Sequence, residues 1–452
     1  GDNAPVALML DVTINGTPLP DIAIGELTSA GDLILPEAFW AAARLKRPTR
    51  ALKLANGTTG YALGSVPALN YSLSLAQMTL IISAPADSFM AEAVDMRKDR
   101  SALPEQAPPG GYLNYDISIT RSSSGSLNYG GLLDAVLFTG GSSLVARTVF
   151  RGSNHAQDLQ VVRTETYWQK DLPDKMVSIV VGDATSSEGG WSQPVRYGGV
   201  RIGRNFRLAP SIITFPLPSI SGSAALPSTI DLLVNNITQQ SNIKVTPGAF
   251  DIRNLPVVTG AGDINLVVTD LRGVQNVLTR NYYSSSELLT PGLSDFSFEA
   301  GALRREFGLK SNQYGAGFVA ASWRQGVTQW LTVQGRGELQ RERQAAGGEV
   351  VLKLGSVGLA RGAASYSSGR LWIGDGASSG AHYLVGFERI SRKGSFTVEW
   401  EHFDEGFERF GNYASVSKPR ELLRVGGGLS PFRGVSLGVS YIDQRSWAGD
   451  RF

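Results

Sequence analysis

The chain has 452 residues, 42 Lys and Arg against 40 Asp and Glu, and no cysteine. A formal charge of +2 with 18% charged residues gives no clustered basic surface for nucleic acid, and the lack of cysteine removes disulfides, thiolate metal sites and cysteine nucleophiles. His155, His382 and His402 lie far apart without metal-binding spacing and no phosphate-cradling glycine motif occurs, so the residues predict no catalytic group, no metal and no cofactor.

Residues 1–95 read as a small separate β domain. It opens with a strand and turn, Leu10-Asp11-Val12-Thr13-Ile14-Asn15-Gly16. A short helix is expected from Pro36 to Leu45, with proline near its start and Pro48 beyond its end. Leu73 to Ile82 reads as a further strand. Residues 96–111 read as a linker, from the charged run Arg97-Lys98-Asp99-Arg100 to Pro104 and Gly111.

Alternation with period two then dominates, and a first strand block is expected over 112–218, starting around Tyr115-Asp116-Ile117-Ser118-Ile119-Thr120. From 219 to 299 the strands become more apolar, as in Thr229 to Val234 and Asp263 to Asp270, which suggests an inserted compact β-sandwich. Residues 300–452 return to alternation. In Leu331 to Leu339 the odd positions are apolar or Gly and the even ones are Thr332, Gln334, Arg336 and Glu338. Phe396, Val398 and Trp400 likewise face away from Thr397, Glu399 and Glu401. Turns are expected at Arg324-Gln325-Gly326, Ala346-Gly347-Gly348, Ser367-Ser368-Gly369, Arg392-Lys393-Gly394 and Phe432-Arg433-Gly434. A transmembrane β-barrel gives this pattern, and so does a large soluble sandwich or jelly roll. Tyr112, Tyr115, Trp168, Trp191, Trp323, Trp330, Trp372, Trp400 and Trp447 near strand ends fit an interfacial girdle and favour the barrel. No apolar run approaches the ~20 residues of a membrane helix.

The insertion carries a resemblance. Val245-Thr246-Pro247-Gly248-Ala249-Phe250-Asp251-Ile252-Arg253-Asn254-Leu255-Pro256, followed by Gly262-Asp263-Ile264-Asn265-Leu266-Val267-Val268-Thr269-Asp270 and Gly273-Val274-Gln275, resembles the plug of the outer-membrane fimbrial ushers of the chaperone–usher pathway. Tyr282-Tyr283, Leu288-Leu289, Pro291-Gly292-Leu293, Gly301 and Arg304 are similar to the return into the barrel, and Leu113-Asn114-Tyr115-Asp116 to its first strand. The resemblance implies an all-β architecture: a transmembrane barrel with an inserted sandwich plug and a small N-terminal periplasmic domain. It implies a bacterial outer-membrane channel, not an enzyme, that receives periplasmic chaperone–subunit complexes and secretes pilus subunits. Its partners would be those complexes, the subunits and outer-membrane lipid, and it allows a dimer of ushers.

The expected plug motif comprises Pro247, Gly248, Phe250, Leu255, Gly262, Asp263 and Gly273, with the glycines at turns and Phe250, Leu255 and Val267 in the core. Candidate gating residues on the wet face are Arg336, Glu338, Glu399 and Glu401. Phe39 and Trp40 are candidate chaperone contacts, with core packing as their other role. The residues after Glu299 are too few for the family's full barrel, so the expectation is a fragment or a short usher, and Phe452 has a minor reading as a terminal barrel aromatic. The alternatives are a plugged solute porin or receptor barrel, and a soluble multi-sandwich adhesin.

Overall fold

A computed structural model describes residues 5–96, 107–123, 125–154, 159–187, 189–370, 376–411, 418–432 and 434–451. Most of the expected linker, together with His155, Trp372 and Phe452, lies outside the described residues. The chain forms two compact units. One comprises residues 1–98, 217–258 and 262–282, the other 99–216, 259–261 and 283–452.

In the first unit the N-terminal residues build an eight-stranded sheet around the long strand Val6–Ile14, which pairs with Ala23–Leu27 on one side and Thr79–Ser83 on the other. Its alternation sends Leu8, Leu10, Val12 and Ile14 inward. The helix Glu37–Ala42 lays Phe39 and Trp40 into the same core, and the Trp40 indole N–H donates to the Leu35 carbonyl at 3.1 Å. Both rings are interior, so they present no surface to a partner; the chaperone-contact expectation for them is corrected, and core packing is their role. The expected strand Leu73 to Ile82 is instead a hairpin, Asn70–Ser74 and Thr79–Ser83, turned by Met78 at a φ of 50°.

The inserted residues form a sandwich with a four-stranded sheet of Ile237–Val245, Ser228–Val234, Gly260–Asp270 and Gln275–Ser284. The facing sheet contains Ile220–Ala224, Gly248–Arg253 and a third strand, Glu92–Asp95, supplied from the N-terminal part of the chain. The expected boundary of the N-terminal domain at residue 95 therefore cuts the architecture differently: its last strand belongs to the inserted sandwich. The core holds Ile230, Leu232, Phe250, Leu255, Ile264 and Leu266. Val267 is corrected to the opposite face, because alternation buries Ile264, Leu266 and Val268.

The second unit is a single antiparallel meander of fifteen strands, six before the insertion and nine after it. It runs from Gly110–Arg121 to Val435–Ser446, and the strand Arg196–Arg204 pairs directly with Ser294–Arg304 across the insertion. The sheet thus resumes at Ser294, earlier than the expected position 300. Ala346-Gly347-Gly348 is no turn but the middle of the strand Arg343–Leu354. Gly347 is small because a Cβ there would lie 2.4 Å from the Ser365 Cβ and 2.7 Å from the Trp191 indole nitrogen. Ser367-Ser368-Gly369 likewise ends the strand Gly358–Arg370 rather than forming a turn.

Candidate functional site: the charged face of the fifteen-stranded sheet

The sheet's strands run to 9–14 residues, and several of them alternate in exposure with the usual order of burial reversed. In Ala377–Ile390, Val385 is 60% exposed whereas His382 is fully buried. In Leu331–Gln340, Leu339 is exposed while Arg336 and Glu338 are buried. Phe298, Val319, Trp323, Val350, Tyr366, Tyr383, Trp400, Leu437 and Val439 all lie on the exposed side. In water this would bury charge and expose hydrocarbon, both unfavourable. In a bilayer, whose ~30 Å core is spanned by tilted strands of about 9–11 residues, it is the stable arrangement.

Among the described residues, three charge networks on the covered face stand out. In the first, the Arg336 guanidinium donates to Glu338 at 2.7 Å, to Glu299 at 3.3 Å and to the Ser187 hydroxyl at 2.8 Å. Glu299 also accepts from the Ser187 amide at 2.6 Å and the Ser297 hydroxyl at 2.8 Å. In the second, Glu401 meets His382 at 3.0 Å, Arg409 at 2.7 Å and Arg424 at 2.7 Å, while Glu399 accepts from Arg424 at 2.5 Å and from Arg361. In the third, Asp183 gathers Arg163, Arg304 at 3.0 Å, the Tyr314 hydroxyl at 2.7 Å and the Thr166 amide at 2.8 Å. All four expected gating residues thus sit on the charged face, divided between two networks. Alternation and resemblance give no gating role to Glu299, Asp183, Arg304 or His382, which the structure adds to the four. Glu299 and His382 lie on the polar side of alternating strands, so the same periodic signal could have found them.

Two connections fold onto this face. Residues 186–187 and 189–195 dock through the Ser187 amide on Glu299 and the Gly190 amide on Glu349 at 3.1 Å. Trp191 packs with Ala345, Ala363, Leu384, Phe403 and Phe407. It is only 2% exposed, so it is corrected from girdle residue to interior anchor. Residues 404–411 dock through the Glu408 amide on the Ser367 hydroxyl at 2.9 Å and through Arg409 on Glu401. The two connections meet where the Gln193 amide donates to the Phe410 carbonyl at 3.0 Å.

The seven inserted-sandwich positions serve geometry and packing. Gly273 stands in a turn at a φ of 81°. Gly262 is corrected from a turn to the strand Gly260–Asp270, where a Cβ would lie 2.5 Å from the Asn235 side chain and 2.7 Å from the Tyr282 ring. Gly248 opens its strand at a φ of 130°. Pro247 immediately precedes it, Phe250 and Leu255 are core, and the Asp263 backbone amide donates to the Asn235 side-chain oxygen at 3.1 Å.

The outer membrane usher protein family model matches residues 146–420, more than half of the sequence. The chain belongs to the outer membrane usher family. The match includes strands on both sides of the insertion and all three networks reach into it. This usher is 29% identical over 139 residues to the outer membrane usher protein FimC of Bordetella pertussis and 27% identical over 217 residues to FaeD of Escherichia coli. Those alignments span 31% and 48% of this chain, but 16% and 25% of the two relatives. The chain therefore aligns with a quarter or less of either relative's length. Its fold is similar to a solved Escherichia coli P pilus tip assembly intermediate, PapC-PapD-PapK-PapG, with a TM-score of 0.57, 16% identity and coverage of 98% of this chain and 58% of that one.

Proposed function

We propose that this chain works in the bacterial outer membrane as the translocating part of a pilus-assembly usher. In this reading the fifteen-stranded sheet is barrel wall, the inserted sandwich is the plug, and the N-terminal domain faces the periplasm and receives chaperone–subunit complexes. The observation that carries it is the reversed sidedness of the sheet, with hydrocarbon outward and ion networks on the covered face. Such a wall offers exported protein a polar track, and its many partnered charges can exchange contacts at modest cost. No catalytic step is required, because strand exchange between subunits supplies the driving force.

For the receiving surface we look to the exposed side of the N-terminal sheet. Met9 and Ile24 are paired across neighbouring strands, 65% and 56% exposed, with Val6, Ile22 and Ile81 also outward. An apolar strip of this kind on a small domain is an interaction surface in search of a partner. The test is binding of a periplasmic chaperone–subunit complex to the full chain in outer-membrane lipid vesicles. Binding that is lost in Met9→Glu/Ile24→Glu supports the proposal. Vesicles that pass small solutes yet never bind such complexes would contradict it and favour a porin.

A further inference from the structure

The strand Glu92–Asp95 leaves the N-terminal sheet and enters the inserted sandwich, where it pairs in parallel with Gly248–Arg253 in the register Glu92 with Phe250 through Asp95 with Arg253. The pairing continues one residue further, with the Met96 amide donating to the Arg253 carbonyl at 3.0 Å. Val94 and Met96 pack against the sandwich core.

Polar contacts fix both ends. The Glu92 carboxylate accepts from the Thr246 amide at 3.0 Å and the Thr246 hydroxyl at 2.6 Å, and lies 3.4 Å from Arg44 of the N-terminal domain. The Asn254 amide donates to Asp95 at 3.0 Å. Asn15, in the turn after the first strand, donates to the Ala84 carbonyl of its own domain at 2.8 Å and to the Ala225 carbonyl of the sandwich at 2.7 Å. The segment before the strand is tied back to the N-terminal domain by the Met90 amide on the Arg44 carbonyl at 2.7 Å and the Lys46 amide on the Ser88 carbonyl at 2.8 Å. Gly248 makes the approach feasible: a Cβ there would lie 2.8 Å from the Phe89 Cβ and 3.0 Å from the Met90 carbonyl oxygen.

We propose that Glu92–Asp95 is a shared strand that fastens the N-terminal domain to the inserted sandwich, with Glu92 as its pin, so that a load taken up by the N-terminal domain is delivered mechanically to the sandwich. The strand completes a sheet that otherwise has two members and an open edge, and strand addition gives directional backbone bonding that side-chain contacts alone lack. The clasp stands independently of what the large sheet transports.

The natural absence of cysteine makes the test direct. Ala93 and Asp251 are register partners, and neighbouring strands about 4.7–4.9 Å apart lie within disulfide reach. In the full chain in lipid vesicles, Ala93→Cys/Asp251→Cys is expected to cross-link under mild oxidation far faster than Ala93→Cys/Leu271→Cys, whose second site lies in a turn of the facing sheet. Adding Glu92→Ala removes both Thr246 hydrogen bonds and should slow the first pair at least about tenfold, the factor that accompanies loss of even one hydrogen bond to a charged group. Equal rates for the two pairs would overturn the shared strand. An unchanged rate with Glu92→Ala would overturn the pin. Neither outcome depends on chaperone–subunit binding, so the clasp and the export role fail or survive separately.

Discussion

At the scale of single residues, Glu92 shows how environment sets a protonation state. Burial alone would raise its pKa, but the two hydrogen bonds from Thr246 and the nearby Arg44 charge together outweigh burial and hold the carboxyl below its ordinary value. A lowered folded-state pKa means that Glu92 contributes stability in full above its unfolded value, and that the contribution is lost as pH falls through the folded-state value. The first unit should therefore lose more denaturant resistance between neutral pH and the acid carboxylate range than its Glu92→Gln variant does. Urea titrations at both pH values check this, and parallel losses in the two proteins would contradict it. Glu92 was not legible as a pin in the sequence. Nothing in Glu92-Ala93-Val94-Asp95 announces a partner more than 150 positions away, since pairing of distant strands is decided by packing rather than local propensity.

At the scale of elements, the strand Leu331–Gln340 concentrates the logic of the charged face. Its even positions follow from alternation alone, which puts Arg336 and Glu338 on the wet side. What alternation could not supply was their burial, because connections carry no period. Residues 186–187, 189–195 and 404–411 cover the face, and Trp191 and Phe410 give no sign in sequence that they turn inward. Gly347 misled for a related reason: its small size makes room for Trp191 from a remote loop, which looks locally like a turn signal. Arg336 lies between two buried carboxylates. Arg336→Met should cost about 3–5 kcal/mol, the range for breaking a buried ion pair from one side. Replacing Glu299 and Glu338 by Gln in the same chain should recover part of that loss, since no uncompensated charge then remains. Urea unfolding of the sheet in detergent micelles measures both, and an unaltered midpoint for the single variant would sink the argument.

At the scale of the whole molecule, the order of elements was readable: a small β domain, a strand block, an inserted sandwich with motif-bearing glycines, and a second strand block. The composition has the same origin. Low charge accords with the proposed apolar, lipid-facing side of the large sheet, and glycine is frequent partly where strands must admit large side chains from the covered side, as at Gly347 and Gly198. The central claim is that this sheet stands in a bilayer with its apolar face in the lipid. Single-tryptophan variants retaining Trp323, Trp400 or Trp191, reconstituted in vesicles with brominated acyl chains, test it most directly. Trp323 and Trp400, on the exposed face, should be strongly quenched relative to unbrominated vesicles, and Trp191, on the covered face, should not. Equal quenching of all three, or none of any, would contradict the account.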